Sequence, residues 1–260
     1  MKIYNIGCSH TSGTKLSLPN PHDQYSKVLA LLYNGTSTMA ANPGDSNERT
    51  YRQSIYDLTD SDYNIAIFQW TDPGRFETAE SNYWYQHRPF SPFQYDKYTQ
   101  DLDKYYKDIY KDISRWQDKM NAQIIGINTY CESLGIRPIH MCWRPLHPSK
   151  MTNMIVNEYE WLMDPYQGLW KFLLGHGFEE AEDGHFKADA HVTIAFWLKT
   201  YIDSYEQPIL GKNVILPERI EYIYNAYNLN IFTHSSYSRW CRIWRIRLLY
   251  RYTRKTWSIT

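Results

Sequence analysis

The chain has 260 residues with a hydrophobic fraction of 43%, which excludes a disordered chain and fits one α/β unit with long loops. Its 28 basic residues balance its 28 acidic ones, so net charge does not indicate a nucleic-acid partner. It contains no apolar run long enough for a membrane span and no signal-peptide pattern, so we expect a soluble protein made in the cytoplasm. Its scattered cysteines predict reduced thiols rather than disulfides: Cys8, Cys131, Cys142 and Cys241.

Short apolar runs alternate with helical patterns along the chain, which is typical of a parallel sheet with crossover helices. The predicted strands are 2–6, 64–70 and 137–143. The predicted helices are 22–33, 46–58 (with Ser46 or Asn47 as N-cap), 98–134, 169–174 and 188–205. We therefore predict a three-layer α/β/α sandwich of the flavodoxin-like type, with a central, mostly parallel sheet, over residues 1–210. Residues 211–260 form a basic, aromatic-rich C-terminal extension.

The stretch 72–94 lacks a helical or strand period and carries several prolines and aromatic residues. It is predicted to be a long loop, and long loops within compact domains are usually functional. Its alternative role is contact with a neighbouring subunit.

The segment Gly7-Cys8-Ser9-His10-Thr11 follows directly on the first predicted strand. Open α/β sheets place their ligands at the carboxyl ends of central strands, so Ser9 is a candidate nucleophile. The alternative is an ordinary strand-to-helix turn in which Ser9 only caps the next helix.

The segment Asp183-Gly184-His185 lies immediately before the last long predicted helix. A serine hydroxyl needs a base to remove its proton, which a histidine oriented by a carboxylate does near neutral pH. Asp183 can fold back onto the ring of His185, although the same three residues also suit a surface turn. His191 is the alternative base, and packing or capping is its other interpretation.

Together these two segments resemble the SGNH (GDSL-like) hydrolases. That family opens with a Gly-Asp-Ser block after its first strand and closes with an Asp-x-x-His block before its final helix. Here Gly7-Cys8-Ser9 is similar to the opening block, with Cys8 in place of the aspartate, and residues 183–195 are similar to the closing block with a shortened spacing. The segment 42–47 is similar to the second block, whose glycine supplies an oxyanion-hole amide.

The third block of the family, Gly-x-Asn-Asp, is missing from this chain. Its place at the end of the 64–70 strand reads Gln69-Trp70-Thr71, followed by Arg75 and Glu77. This variant is similar to one found among phage-encoded members.

The resemblance implies an SGNH-type serine hydrolase that uses no metal and no cofactor. Ser9 would attack an ester carbonyl, His185 would take its proton and Asp183 would orient His185. The implied oxyanion donors are the backbone amides of Ser9 and Gly44 and the side chain of Asn47, with Gln69 as second choice for the side-chain donor and N-capping as the alternative role of Asn47. His140 and Cys142 alternate on a predicted buried strand, so packing is favoured over metal binding.

Aromatic and polar side chains around the 72–94 loop are predicted to bind the substrate: Trp70, Arg75 and Trp84. Because aromatic rings stack on sugar rings, the expected substrate is an ester of an acylated carbohydrate, which the enzyme would deacetylate. An ion pair between Arg75 and Glu77 that holds the loop is the alternative role of this arginine.

The end of the chain, residues 236–260, carries six Arg and one Lys and no acidic residue. Such a basic, aromatic segment can dock onto a protein assembly, nucleic acid, an acidic membrane surface or its own acidic domain. This feature supports a second hypothesis, a structural or binding component of a larger assembly, such as a phage virion, that keeps the hydrolase scaffold.

Overall fold

The computed structural model describes residues 1–80, 83–87 and 113–204, and within these ranges the side chains of 1–75 and 115–204. The chain divides into two compact units, Met1–Lys212 and Asn213–Thr260. The second unit lies outside the described residues, as do the basic segment 236–260 and Cys241.

Six strands and seven α-helices make up the described part of the chain. The strands are β1 (Lys2–Ile6), β2 (Thr36–Met39), β3 (Ile65–Trp70), β4 (Phe76–Glu80), β5 (Tyr83–His87) and β6 (Arg137–Cys142). The helices are α1 (Ser9–Ser12), α2 (Tyr25–Leu32), α3 (Asn47–Leu58), α4 (Ile113–Ser133), α5 (Lys150–Glu158), α6 (Leu169–Gly175) and α7 (Ala188–Asp203). A short 3₁₀ turn, Pro21–Asp23, precedes α2.

Four of the strands form a parallel sheet in the order β2-β1-β3-β6. The chain leaves β1 to one side to form β2, then crosses back to form β3 and β6 on the other side. The gap between β1 and β3 is thus the topological switch point, where the loops after neighbouring strands diverge and leave a crevice for ligands.

Helices pack on the sheet in two groups. Helix α2 packs against α7, whereas α3 packs against α4, and α4 against α5. The central strand β3 of the sheet between them is buried along its whole length. The three-layer α/β/α sandwich with a parallel central sheet predicted from the sequence is confirmed.

Several elements differ from the sequence prediction. The prediction of a loop over 72–94 is wrong for 76–80 and 83–87, because β4 and β5 pair as an antiparallel hairpin, whereas 72–75 is irregular as predicted. Phe, Thr, Tyr and Trp, which favour strands, occupy 76–87 around a Ser-Asn pair suited to a turn. Helix α1, strand β2 and helix α5 were not predicted, and residues 98–112 of the predicted helix 98–134 lie outside the described residues.

Candidate active site

The end of β1 delivers Ser9 to the switch point of the sheet. Gly7 is required there by close packing: a Cβ atom at this position would lie 2.2 Å from Thr11 Oγ1 and 2.9 Å from Gln69 Cβ. The turn thus packs directly on the end of β3, and the chain enters α1 at Ser9, which is 8% exposed.

The first turn of α1 leaves backbone donors free beside Ser9. The amides of Thr11 and Ser12 both donate to the carbonyl of Cys8. The amides of Ser9 and His10 donate no backbone hydrogen bond within the described residues, as expected for the first positions of a helix. These N–H groups are therefore available to a developing negative charge.

Asp183 and His185 are in contact in the loop before α7. Their Oδ2 and Nδ1 atoms lie 3.3 Å apart, and Asp183 Oδ1 also accepts a hydrogen bond of 3.2 Å from the backbone N–H of His185. Gly184 has φ +75°, a left-handed backbone conformation that favours glycine. A Cβ atom would have open space at this position, so it is this conformation, not a lack of room, that requires glycine and lets the Asp183 carboxylate fold back onto His185.

Thr14, which follows α1, joins this loop to the segment that carries Ser9. Its hydroxyl donates to Asp183 Oδ2. Burial raises the pKa of Asp183, but the hydrogen bonds from Thr14 and from the His185 backbone, with the charge of His185, outweigh it and hold that pKa below its usual value. Asp183 is thereby kept ionised, as a group that orients a histidine must be.

The imidazole of His185 lies against the ring of the residue that follows Ser9. The ring centroids of His10 and His185 are 4.5 Å apart. Neither ring nitrogen of His185 has a hydrogen-bond partner, and no hydrogen bond joins the ring to Ser9 within the described residues. Nε2 of His185 therefore carries no hydrogen bond within the part of the chain that the structure describes.

His191, the alternative base, lies in the first turn of α7 and is 2% exposed. Its ring stacks on Tyr25 with a centroid distance of 5.8 Å. Burial, with the charge of His185, lowers its pKa to about 3. These contacts favour the packing role of His191.

The proposed oxyanion donors have different surroundings. Gly44 is buried in the loop before α3 with φ +89°. Asn47 is not a free donor, which corrects the sequence prediction: its Nδ2 donates to the Thr71 carbonyl (3.2 Å) and to Met120 Sδ (3.0 Å), and its Oδ1 accepts from the Thr71 amide. Asn47 thus anchors the chain after β3 to α3.

Ser46 is the candidate helix cap beside Asn47, and Gln69 is the second candidate for a side-chain oxyanion donor. Ser46, not Asn47, caps α3, because its hydroxyl accepts from the Arg49 amide. Gln69 Oε1 accepts a hydrogen bond from the Thr11 hydroxyl, and its buried Nε2 has no partner within the described residues. Gln69 therefore keeps a free amide donor that Asn47 lacks.

The three predicted substrate-binding residues differ in their exposure and contacts. Trp70 is completely buried, and its indole N–H donates to His140 Nδ1 at 3.1 Å, so its assignment to substrate binding is wrong: a strand buried on both faces left it no access to solvent. Arg75 has a buried Nη1 without a partner among the described residues, and its charge acts on His10. The side chains of Trp84 and Glu77 lie outside the described ones.

His140 and Cys142 are part of the core. His140 accepts from Trp70, and its Nε2 lies 3.2 Å from Asn128 Oδ1, which together satisfy both ring nitrogens. No group of three His, Cys, Asp or Glu side chains among the described residues is arranged to hold a metal ion. Within the same residues no helix has the length and apolarity to cross a membrane.

Solved structures similar to this chain include SGNH and GDSL hydrolases and esterases. One is a G-D-S-L family protein from Desulfitobacterium hafniense (10% identity, TM-score 0.44, 76% of this chain and 98% of that chain). Another is the psychrotrophic esterase EstA from Pseudoalteromonas (11%, 0.45, 77% and 96%). A third is an active-site mutant of a family two carbohydrate esterase from Clostridium thermocellum (13%, 0.48, 77%), of which this chain covers 62%. No family model and no curated protein matches the chain.

Proposed function

We propose that this protein is a serine esterase in which Ser9, His185 and Asp183 form the catalytic triad. The proposal rests on one observation: the Asp183–His185 pair, more than 170 residues from Ser9 along the chain, lies beside the ring of His10 at the end of β1. A surface turn would not require this meeting of two distant loops.

In the proposed reaction, His185 Nε2 takes the proton of Ser9 as Oγ attacks the ester carbonyl. Asp183, ionised and held by Thr14, stabilises the imidazolium that forms. The free amide of Ser9 and the amide of Gly44 stabilise the oxyanion, and each such donor contributes roughly 3 kcal/mol to the transition state. Gln69 Nε2 is the side-chain donor still available at the end of β3. Water then hydrolyses the acyl-enzyme.

The proposed substrate is an acylated carbohydrate. The support is the aromatic composition of 72–94, together with Nη1 of Arg75, a buried donor that has no hydrogen-bond partner among the described residues. The assembly hypothesis depends on residues 236–260, which lie outside the described residues, and it stays a prediction.

The proposal is tested with p-nitrophenyl acetate and with an acetylated xylo-oligosaccharide, comparing wild type with Ser9→Ala. Loss of the nucleophile is expected to reduce kcat by about a thousandfold or more. Ser12→Ala, in the same short helix, is the matched control and keeps wild-type rates. A fluorophosphonate probe should label Ser9 in the wild type, as read by peptide mass spectrometry. Equal hydrolysis by wild type and Ser9→Ala would refute the esterase.

A further inference from the structure

The ring of His10 contacts two other aromatic rings. It stacks on the Trp143 ring, with ring centroids 3.5 Å apart and an interplanar angle of 15°. It also lies beside the His185 ring in a tilted arrangement, with centroids 4.5 Å apart at 34°. The residue after the proposed nucleophile therefore contacts both the end of β6 and the proposed base.

Trp143 gives the stack a rigid foundation. It is 4% exposed, its amide donates to the Trp70 carbonyl (2.8 Å), and its own carbonyl accepts from the Trp170 amide (3.2 Å). Its ring also meets the edge of Phe186, the neighbour of His185, with centroids 5.7 Å apart. The same tryptophan thus supports the His185 loop directly through Phe186 and indirectly through His10.

The His185 ring has no strong polar restraint. Its contact with Asp183 is an ion-pair contact without hydrogen-bond alignment, and neither ring nitrogen has a hydrogen-bond partner among the described residues. Its ring contact among the same residues is with His10. The plane of the His185 ring therefore depends on packing, to which His10 contributes.

A neutral ring is what this position requires. An imidazolium is attracted to the face of a neutral aromatic ring and repelled by a second positive charge. Burial, and then the charges of His185, Arg75 and Arg144, lower the pKa of His10 to about 2, so His10 is uncharged at the pH where a histidine base works.

We propose that His10 is a positioning residue, which is held by stacking on Trp143 and orients the His185 ring for proton transfer by packing against it. This inference rests on the proposed function of His185 and adds to it a residue that neither carries nor accepts the transferred proton. Because ring packing and not a nitrogen atom is required, an apolar aromatic ring should replace His10.

The test compares His10→Ala with His10→Phe. In His10→Ala kcat should fall by about tenfold or more with KM little changed, because a misplaced base loses part of its catalytic contribution. His10→Phe should restore kcat to within about threefold of wild type. His176→Ala is the matched control: the His176 ring also contacts an aromatic ring, that of Phe172 in α6 (4.2 Å), and its loss should leave kcat unchanged.

A second readout does not depend on turnover. In ¹H–¹⁵N spectra of the histidine rings, with His185 assigned by its loss in His185→Gln, the His185 signals should be sharp in wild type and His10→Phe and broadened in His10→Ala. Unchanged His185 signals in His10→Ala would overturn the positioning role whatever the activity, as would equal losses of kcat in both variants. A protein that hydrolyses no ester yet shows the expected spectra would contradict the proposed function and leave the positioning of His185 intact.

Discussion

Thr14 donates its hydroxyl hydrogen to the same carboxylate oxygen of Asp183 that contacts Nδ1 of His185. Thr14, which holds the carboxylate of the proposed triad, thus lies five positions after the proposed nucleophile. A hydrogen bond therefore joins the two loops of the site directly. Thr14 is itself held by Ser17, whose hydroxyl lies 3.1 Å from Thr14 Oγ1 and accepts from the Thr14 amide at 2.9 Å.

Thr14→Val keeps the shape of the side chain and removes this hydrogen bond. Asp183 then loses one cause of its lowered pKa and is free to turn away from His185. We expect kcat/KM at neutral pH to fall about tenfold, the equivalent of roughly 1.4 kcal/mol for a hydrogen bond to a charged group. Thr14→Ser keeps the hydroxyl and is the control. Equal kcat/KM in Thr14→Val and wild type would show that Asp183 needs no support from this loop.

Gly7→Ala tests the packing of the nucleophile turn on β3. The added methyl group meets the Thr11 hydroxyl, Gln69 Cβ and, at 3.0 Å, the Gln69 carbonyl oxygen, which is backbone and cannot move aside easily. We expect a loss of about 1–3 kcal/mol in the free energy of unfolding, measured by urea denaturation, together with reduced kcat.

The matched control for this variant is Gly175→Ala at the end of α6, where a Cβ has no neighbour within 4 Å. That substitution should leave stability unchanged or raise it by about 0.5 kcal/mol, since alanine restricts the unfolded chain. Equal stability of the two variants would contradict the close contacts that a Cβ atom at Gly7 makes with Thr11 and Gln69.

The elements predicted well from sequence are those with a strong local signal. The nearly continuous apolar run Ile65–Trp70 predicts a buried strand, and every residue in it is buried. Ser46 is a typical N-cap residue, and its hydroxyl caps α3. Strand β2 gives no such signal: Thr36–Met39 lies at the edge of the sheet with alternately exposed residues and one apolar side chain. Because its own residues give no strand signal, β2 can be recognised only from its pairing with β1 in the folded protein.

The site shows the same division. Ser9, Asp183 and His185 stand in short motifs with a chemical meaning of their own, so the sequence points to them. Thr14 and Trp143 are recognisable only from their contacts, because nothing in their spacing indicates that one reaches Asp183 and the other reaches His10. Asn47 and Trp70 were misassigned because their motif positions suggest function, whereas their hydrogen bonds to Thr71 and His140 are structural.

Trp70→Phe tests this correction. The change removes the N–H that satisfies the buried His140 Nδ1 and leaves space in the core. We expect a loss of about 2–4 kcal/mol in unfolding free energy, from the unsatisfied acceptor and the reduced volume. KM for the ester should not change in protein that remains folded. A KM raised more than about fivefold without a loss of stability would return Trp70 to the substrate site.

Two buried histidines, His140 and His191, and the partly buried His10 make the folded protein sensitive to acid well above the range in which carboxylates titrate. Burial is the first cause in each case, and it lowers the pKa of His10 to about 2 and those of His140 and His191 to about 3. Above a pH of about 6.5 these histidines are neutral in both the folded and the unfolded chain. Below it the unfolded chain binds protons that the folded chain does not, so stability falls as the pH falls.

The slope contributed by each such histidine approaches about 1.4 kcal/mol per pH unit between the unfolded and folded pKa values. His191→Phe keeps the ring beside Tyr25 and removes the titrating group. When the free energy of urea unfolding is plotted against pH between 7.5 and 5, the slope for this variant should therefore be smaller than that of wild type by the contribution of about one bound proton, at most about 1.4 kcal/mol per pH unit. His22→Ala, at an exposed position, is the control and should keep the wild-type slope. A wild-type free energy of unfolding that stays constant over this range would mean that the folded protein protonates these histidines, against the burial that surrounds them.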